Sequence, residues 1–243
     1  MKLQDQIINR GETLFKYRGQ MPLILLLAAI PVIFNSSYYN SIGVELQSSF
    51  QCTAIFIACC GLCLRYYTVA TSPDGTSGKN RKKQVANELN TTGVYSIVRN
   101  PLYLANYLIW LGISIYSLSY ILIAISSLFF FIIYEKIILV EEFFLTKKYG
   151  EKYEEYSLKT PCFLPNINNF LPSNSKFSIK KVLREEYSST LSTIMSFIFI
   201  DILIYYIFQE RLYISNTTLK TIILSICIAC ILKLLKKNTK LLN

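Results

Sequence analysis

Histidine is missing from this chain of 243 residues. Its absence excludes imidazole general-base catalysis and every metal site that depends on a histidine ligand, and no metal is expected. Charge is also scarce: 16% of residues are Asp, Glu, Lys or Arg, against 52% hydrophobic residues and a mean hydropathy of +0.37. A soluble domain of this length carries more charge. Only nine glycines and seven prolines punctuate it, and there is a single tryptophan. Seven cysteines are present, but Cys52, Cys59, Cys60, Cys63, Cys227 and Cys230 lie inside apolar runs, where a thiol behaves as a small hydrophobe. Cys162 falls in a polar segment assigned to the cytoplasmic side, where thiols stay reduced. No disulfide framework is expected.

Long apolar runs fill the space that charge leaves. Six are of roughly membrane-spanning length, at residues 21–34, 50–69, 101–118, 120–140, 190–208 and 219–235. The first carries Pro22 and Pro31 and has little spare length, so a re-entrant segment is an alternative there. The expected fold is therefore all-α, a polytopic membrane protein of about six transmembrane helices. Residues 1–20 are polar and no small-residue cleavage site follows an apolar core, so the first helix is expected to remain as an anchor.

The net charge of +10 does not point to nucleic acid, because its distribution follows the membrane. Of the 25 Lys and Arg residues, 23 fall on one face of the proposed topology; only Arg211 and Lys220 fall on the other. By the positive-inside rule the termini and the loops 71–100 and 141–189 face the cytoplasm. The basic clusters then serve as orientation signals and contacts to anionic lipid.

Two polar blocks interrupt the apolar runs. The first, residues 90–115, reads NTTGVYSIVRNPLYLANYLIWLGISI and passes through Arg99-Asn100-Pro101 into an apolar helix. Pro101 suits a first helical turn, where its missing N–H is not needed. The second, residues 140–165, reads VEEFFLTKKYGEKYEEYSLKTPCFLP. Its aromatics among charges suit amphipathic helical pieces at the membrane surface, broken at Gly150. Upstream, residues 72–80 hold turn formers without apolar side chains, and a short surface helix is expected over 81–89.

In order and spacing these blocks resemble the isoprenylcysteine carboxyl methyltransferase and phospholipid methyltransferase superfamily, over residues 65–165. The resemblance implies a membrane methyltransferase using S-adenosyl-L-methionine and acting on a lipid or lipidated methyl acceptor, with cytoplasmic cofactor-binding loops. It leans toward bacterial members, hence an inner-membrane location. The positions that match the family's cofactor pocket are Asn80, Asn87, Glu88, Leu89, Asn90, Tyr95, Asn100, Pro101, Leu102, Tyr103 and Glu141. A carboxylate at a membrane helix end suits a cofactor bearing a sulfonium and an ammonium, and tyrosines offer faces and hydroxyls to an adenosine. Arg99 and Lys136 are the expected holders of the acceptor's anionic oxygen, a carboxylate or phosphate.

Two positions depart from the family pattern. Asn100 stands where the family has His, and Ile137 where the prenylcysteine enzymes have a substrate-contacting Arg. The implied organisation is an N-terminal pair of helices (1–70), a methyltransferase core (71–165), a cytoplasmic linker (166–189) and a C-terminal helix pair (190–243) that carries no motif. Alternatives that the residues leave open are a nicotinamide-dependent membrane reductase of the steroid-reductase type, a small transporter or channel, and a noncatalytic membrane subunit.

Overall fold

The computed structural model describes residues 3–36, 43–73, 86–239 and 241. Eight α-helices are formed there: α1 (Leu3–Tyr17), α2 (Met21–Phe34), α3 (Val44–Thr71), α4 (Pro101–Tyr116), α5 (Tyr120–Tyr149), α6 (Glu151–Lys159), α7 (Ile179–Gln209) and α8 (Asn216–Asn238). The protein is all-α, and among the described residues the one strand-like contact is an isolated antiparallel bridge between Gly93 and Leu171.

Every apolar run becomes a helix, but the six are not equivalent. Four, α3, α5, α7 and α8, are long and apolar enough to cross a membrane. A fifth span arises if α2 is joined to residues 10–17 of α1 across an 80° bend. The sixth, α4, has 16 residues, about 24 Å at 1.5 Å per residue, which is short of a hydrocarbon layer of about 30 Å. Pro101 fixes its start, and a tight turn at Ser117, Leu118 (φ 57°) and Ser119 fixes its end. Serine side chains cap the helices that follow: Ser119 accepts from the Leu122 amide, Ser178 from Lys181 and Ser215 from Thr218.

Small residues set the tightest packing. A Cβ added at Gly61 of α3 would lie 2.7 Å from the Ala105 carbonyl oxygen of α4, and one at Gly112 would lie 2.5 Å from that of Ala54. Backbones approach this closely in membranes because small side chains let dispersion contacts form where no hydrophobic effect drives helices together. Below this seam Ala29, Ile33, Ile109, Ile113, Leu122, Ile200 and Ile204 join α2, α4, α5 and α7 in one core. A second core, of Phe15, Tyr103, Phe130, Tyr134, Ile137 and Ile138, holds α1 against α4 and α5. Large apolar side chains such as Phe56, Leu128 and Leu224 cover the outside, as lipid-facing surfaces require.

Three local expectations change. Residues 140–149 continue α5 as one helix instead of forming a separate surface piece, because nothing breaks the helix before Gly150. Of the expected helix over 81–89, residues 81–85 lie outside the described residues and 86–89 are not helical. The segment expected as a linker is docked: the Gly93 amide donates to the Leu171 carbonyl (2.8 Å) and the Ser173 hydroxyl to that of Thr71 (2.9 Å).

Candidate active site

A cleft of about 510 Å³ opens between the α1–α2 corner, the start of α4, the last third of α5 and α7, and a pocket of about 90 Å³ adjoins it beneath residues 86–90. Tyr95, Arg99, Asn100 and Glu141 line both. Pro101, Leu102 and Tyr103 line the cleft, and Glu88, Leu89 and Asn90 the pocket. Asn87 is exposed and lines neither, and Asn80 lies outside the described residues. Lys136 is half-buried and lines neither cavity; its turn of α5 packs toward Gly11 of α1. Ile137 is fully buried in the α1–α4–α5 core.

Backbone and side-chain hydrogen bonds join the two polar blocks. The chain turns at Gly93, whose φ of +62° favours glycine. Ser96 then caps back onto the Gly93 carbonyl. The Arg99 amide donates to the Pro161 carbonyl (2.9 Å) and the Asn166 amide to that of Ile97 (2.9 Å). Asn100 donates to the Cys162 carbonyl at 3.1 Å. At this position, where the family has His, the amide group therefore ties the second block to the start of α4. The Tyr156 hydroxyl donates to the Tyr95 carbonyl at 2.7 Å, and the Tyr149 hydroxyl and Lys148 ammonium both reach the Ala86 carbonyl. That last pair holds the 86–90 segment over the small pocket.

Adjacent glutamates at the end of α5 have different surroundings. Glu142 receives the Arg99 guanidinium, from Nε at 3.0 Å and from Nη2 at 2.7 Å. The Arg99 Nη1 also donates to the carbonyls of Ser157 and Thr160. Four of the five donors of a guanidinium are thereby used inside the protein, so Arg99 acts as a clamp between α5 and the end of α6. Glu141 instead faces the cavities, with the Tyr103 hydroxyl bonded to its carboxylate. Burial pushes the Tyr95 phenol up to about 12, with the nearby Glu141 charge adding to the effect. Burial also raises the Tyr153 and Tyr156 phenols and the Cys162 thiol. Tyr95 therefore stands at neutral pH as an uncharged hydrogen-bonding group beside Glu141.

Helix α7, for which the sequence offered no motif, forms a full wall of the cleft. Glu185, Ser188, Ser189, Ser192, Thr193 and Ser196 line it. These positions recur at intervals of three and four, one face of a helix. Just above that wall Arg65 of α3 is paired with Glu186 of α7 at 2.8 and 3.1 Å, and its Nη1 donates to Asn106 of α4 at 2.5 Å. Glu186 is 1% exposed. A carboxylate at 186 and hydroxyls at helical spacing after it were visible in the sequence.

Among the described residues, no group of three or more His, Cys, Asp or Glu side chains is placed to hold a metal ion. Residues 51–152 match the family model of phospholipid methyltransferase, which bears out the superfamily resemblance over that segment. The nickel-cobalt-cadmium resistance protein NccN of Alcaligenes xylosoxydans xylosoxydans is 36% identical over 83 residues, 34% of this chain and 38% of that protein. The cobalt-zinc-cadmium resistance protein CzcN of Cupriavidus metallidurans is 37% identical over 82 residues, again 34% and 38%. The chain thus spans well under half the length of these curated relatives. No solved structure matches.

Proposed function

We propose that this chain, whose residues 51–152 are of the phospholipid methyltransferase type, is an S-adenosyl-L-methionine-dependent membrane methyltransferase. Its acceptor is the anionic oxygen of a lipid or lipidated molecule, and its site faces the cytoplasm of a bacterial inner membrane. The observation that carries this is the division of labour between Glu141 and Glu142. Arg99 pairs with Glu142, while Glu141 is directed into the cavities with two tyrosines beside it and the Arg18 charge on the same cleft. A carboxylate kept in a partly dry cleft suits a cationic ligand.

The residues present fit the cofactor by their donor set. Glu141 would meet its positive groups, Tyr95 and Tyr103 its adenosine, and Asn90 and Asn100 supply amide groups at the same wall. When bound, the cofactor supplies an electrophilic methyl group: an acceptor oxygen lone pair forms the new O–C bond while the C–S pair stays on sulfur. The chain's own part is alignment and exclusion of water. The 86–90 segment, held by Lys148 and Tyr149, covers one side, and the Arg99 clamp fixes the end of α5 on the other. No base is required, because a carboxylate or phosphate oxygen is already a nucleophile at neutral pH.

Lipid extracts of cells with and without the gene, grown on methyl-deuterated methionine, test this by mass spectrometry. A lipid species carrying one deuterated methyl group only when the gene is present is the expected result. Its absence, together with no binding of S-adenosylmethionine to the purified protein, would sink the proposal.

A further inference from the structure

The polarity of α7 changes along one face, and the change follows the cleft. Ser189, Ser192, Thr193 and Ser196 line the cleft, whereas the next positions on that face, Ile200 and Ile204, are buried in the core with Ile109 and Ile113. From Glu185 to Ser196 the lined stretch covers about 16 Å along the helix axis, roughly half of a hydrocarbon layer. Thr193 donates to the Ser189 carbonyl at 2.9 Å and Ser196 to that of Ser192 at 2.8 Å. A hydroxyl satisfied by its own helix presents little polarity, yet leaves room that a leucine would fill. Opposite stand Ile109, Trp110 and Ile113 of α4. Arg18, stacked on Phe15 at 3.9 Å, and Lys236 border the same cleft.

We propose that this part of the cleft is an acceptor subsite for an anionic amphiphile, walled by α7, a helix outside the segment that matches the family model. The apolar chain would lie between Trp110 and the hydroxyl face of Ser192, Thr193 and Ser196, with the charged head on the side of Arg18 and Lys236. A free soluble anion has no use for an isoleucine and tryptophan wall, whereas an amphiphile fills both the apolar and the charged parts of the cleft. Assigning the occupant as methyl acceptor rests on the function proposed above; the subsite itself does not.

Trp110 is the only tryptophan in the chain and lines the cleft, so its fluorescence reports occupancy. The full-length protein in detergent micelles is titrated with a brominated single-chain alkyl phosphate, a brominated monoacylglycerol, and inorganic phosphate. Saturable quenching by the alkyl phosphate, at lower concentration than by the neutral amphiphile, is expected, and inorganic phosphate should not compete. The double variant Ser192→Leu and Ser196→Leu should raise half-saturation by about tenfold or more, since a pocket filled by extra methylenes discriminates at that level. Affinity for S-adenosylmethionine, read by calorimetry, should stay as in the parent. Arg18→Gln should remove the preference for the phosphate head.

Should the leucine variant not fold, Ser192→Cys in a background without native cysteines gives a second measurement. The alkyl phosphate should then slow modification of that thiol by a maleimide. Quenching that never saturates, quenching unchanged by the leucines, competition by inorganic phosphate, or no protection of the thiol would each overturn the subsite. Loss of cofactor binding in the parent with saturable quenching intact would sink the methyl-transfer function and leave the subsite standing.

Discussion

The guanidinium of Arg99 and the carboxylate of Glu142 are joined at 2.7 and 3.0 Å, and this pair decides what its neighbour Glu141 is available to do. Residues adjacent on a helix point about 100° apart. With Glu142 taken up by Arg99, Glu141 is turned to the cleft. Arg99, which the sequence suggested as an anchor for the acceptor, lines both cavities and also fastens α5 to the end of α6. The two carboxylates should consequently fail in different ways when changed.

Glu141→Gln should weaken S-adenosylmethionine binding by about tenfold to a hundredfold, the worth of a hydrogen bond to a charged group at about 1.5–3 kcal/mol. Thermal stability should hardly move. Glu142→Gln should lower the melting temperature, because it leaves the Arg99 charge without its partner in a half-buried setting. Calorimetry and a thermal melt on detergent-purified protein separate the two effects. Equal loss of affinity in both variants would contradict this assignment.

Glu186→Gln should be among the more destabilising single changes, approaching the roughly 3–5 kcal/mol seen when one member of a buried pair is removed. Arg65 would be left largely buried beside Asn106. Replacing both partners with apolar residues of similar size should recover most of the loss. A chemical or thermal unfolding series on the three variants reads this directly; a double variant no better than the single would count against it.

Gly61→Ala and Gly112→Ala should each destabilise the α3–α4 pair by about 1–3 kcal/mol, the range for an overpacked contact. The added Cβ meets a backbone carbonyl in both cases, at 2.7 and 2.5 Å, and backbone gives way less readily than a side-chain end. Gly43→Ala, where nothing lies within 4 Å, should show no overpacking cost and only the smaller loss of exchanging Gly for Ala at the N-cap of α3.

Burial raises the Tyr95 phenol from its ordinary value near 10 to about 12. Its neutral form is thus favoured in the folded state. That contribution is complete below pH 10 and is lost as pH rises from 10 to 12, where the unfolded chain ionises first. Tyr95→Phe should flatten the alkaline fall in melting temperature over that interval. Cofactor affinity of the parent should show no step near pH 10 from this group.

The charge partition predicts orientation. In a variant lacking native cysteines, Lys79→Cys should resist an impermeant maleimide on intact cells, and Arg211→Cys should react. The reverse pattern would invert the topology and place Glu141 on the other side of the membrane.

Apolar run length and charge placement were sufficient for an all-α membrane fold, since a hydrocarbon layer demands helices long enough to cross it and leaves Lys and Arg to mark one side. The local signals held as well: Pro101 opens α4, Gly93 turns the chain at positive φ, and Gly150 ends α5. Tyr95, Asn100, Tyr103 and Glu141 converge because the two polar blocks flank consecutive helices joined by a three-residue turn. The resemblance singled out Glu141 of the two adjacent glutamates; what it could not supply was the partner that takes up Glu142. That depends on where Arg99 lies in space, and its partners are 43 to 61 residues away. Nor could it place Lys136 outside the cleft, since a residue's facing on a helix depends on which neighbour packs there, here α1. The wall supplied by α7 was hidden for the same reason: serines at helical spacing fit lipid, core or cavity equally well until the opposing helix is known. Only the packing of α7 against α3 and α4, fixed by the Arg65–Glu186 pair, turns that face into one side of a cleft.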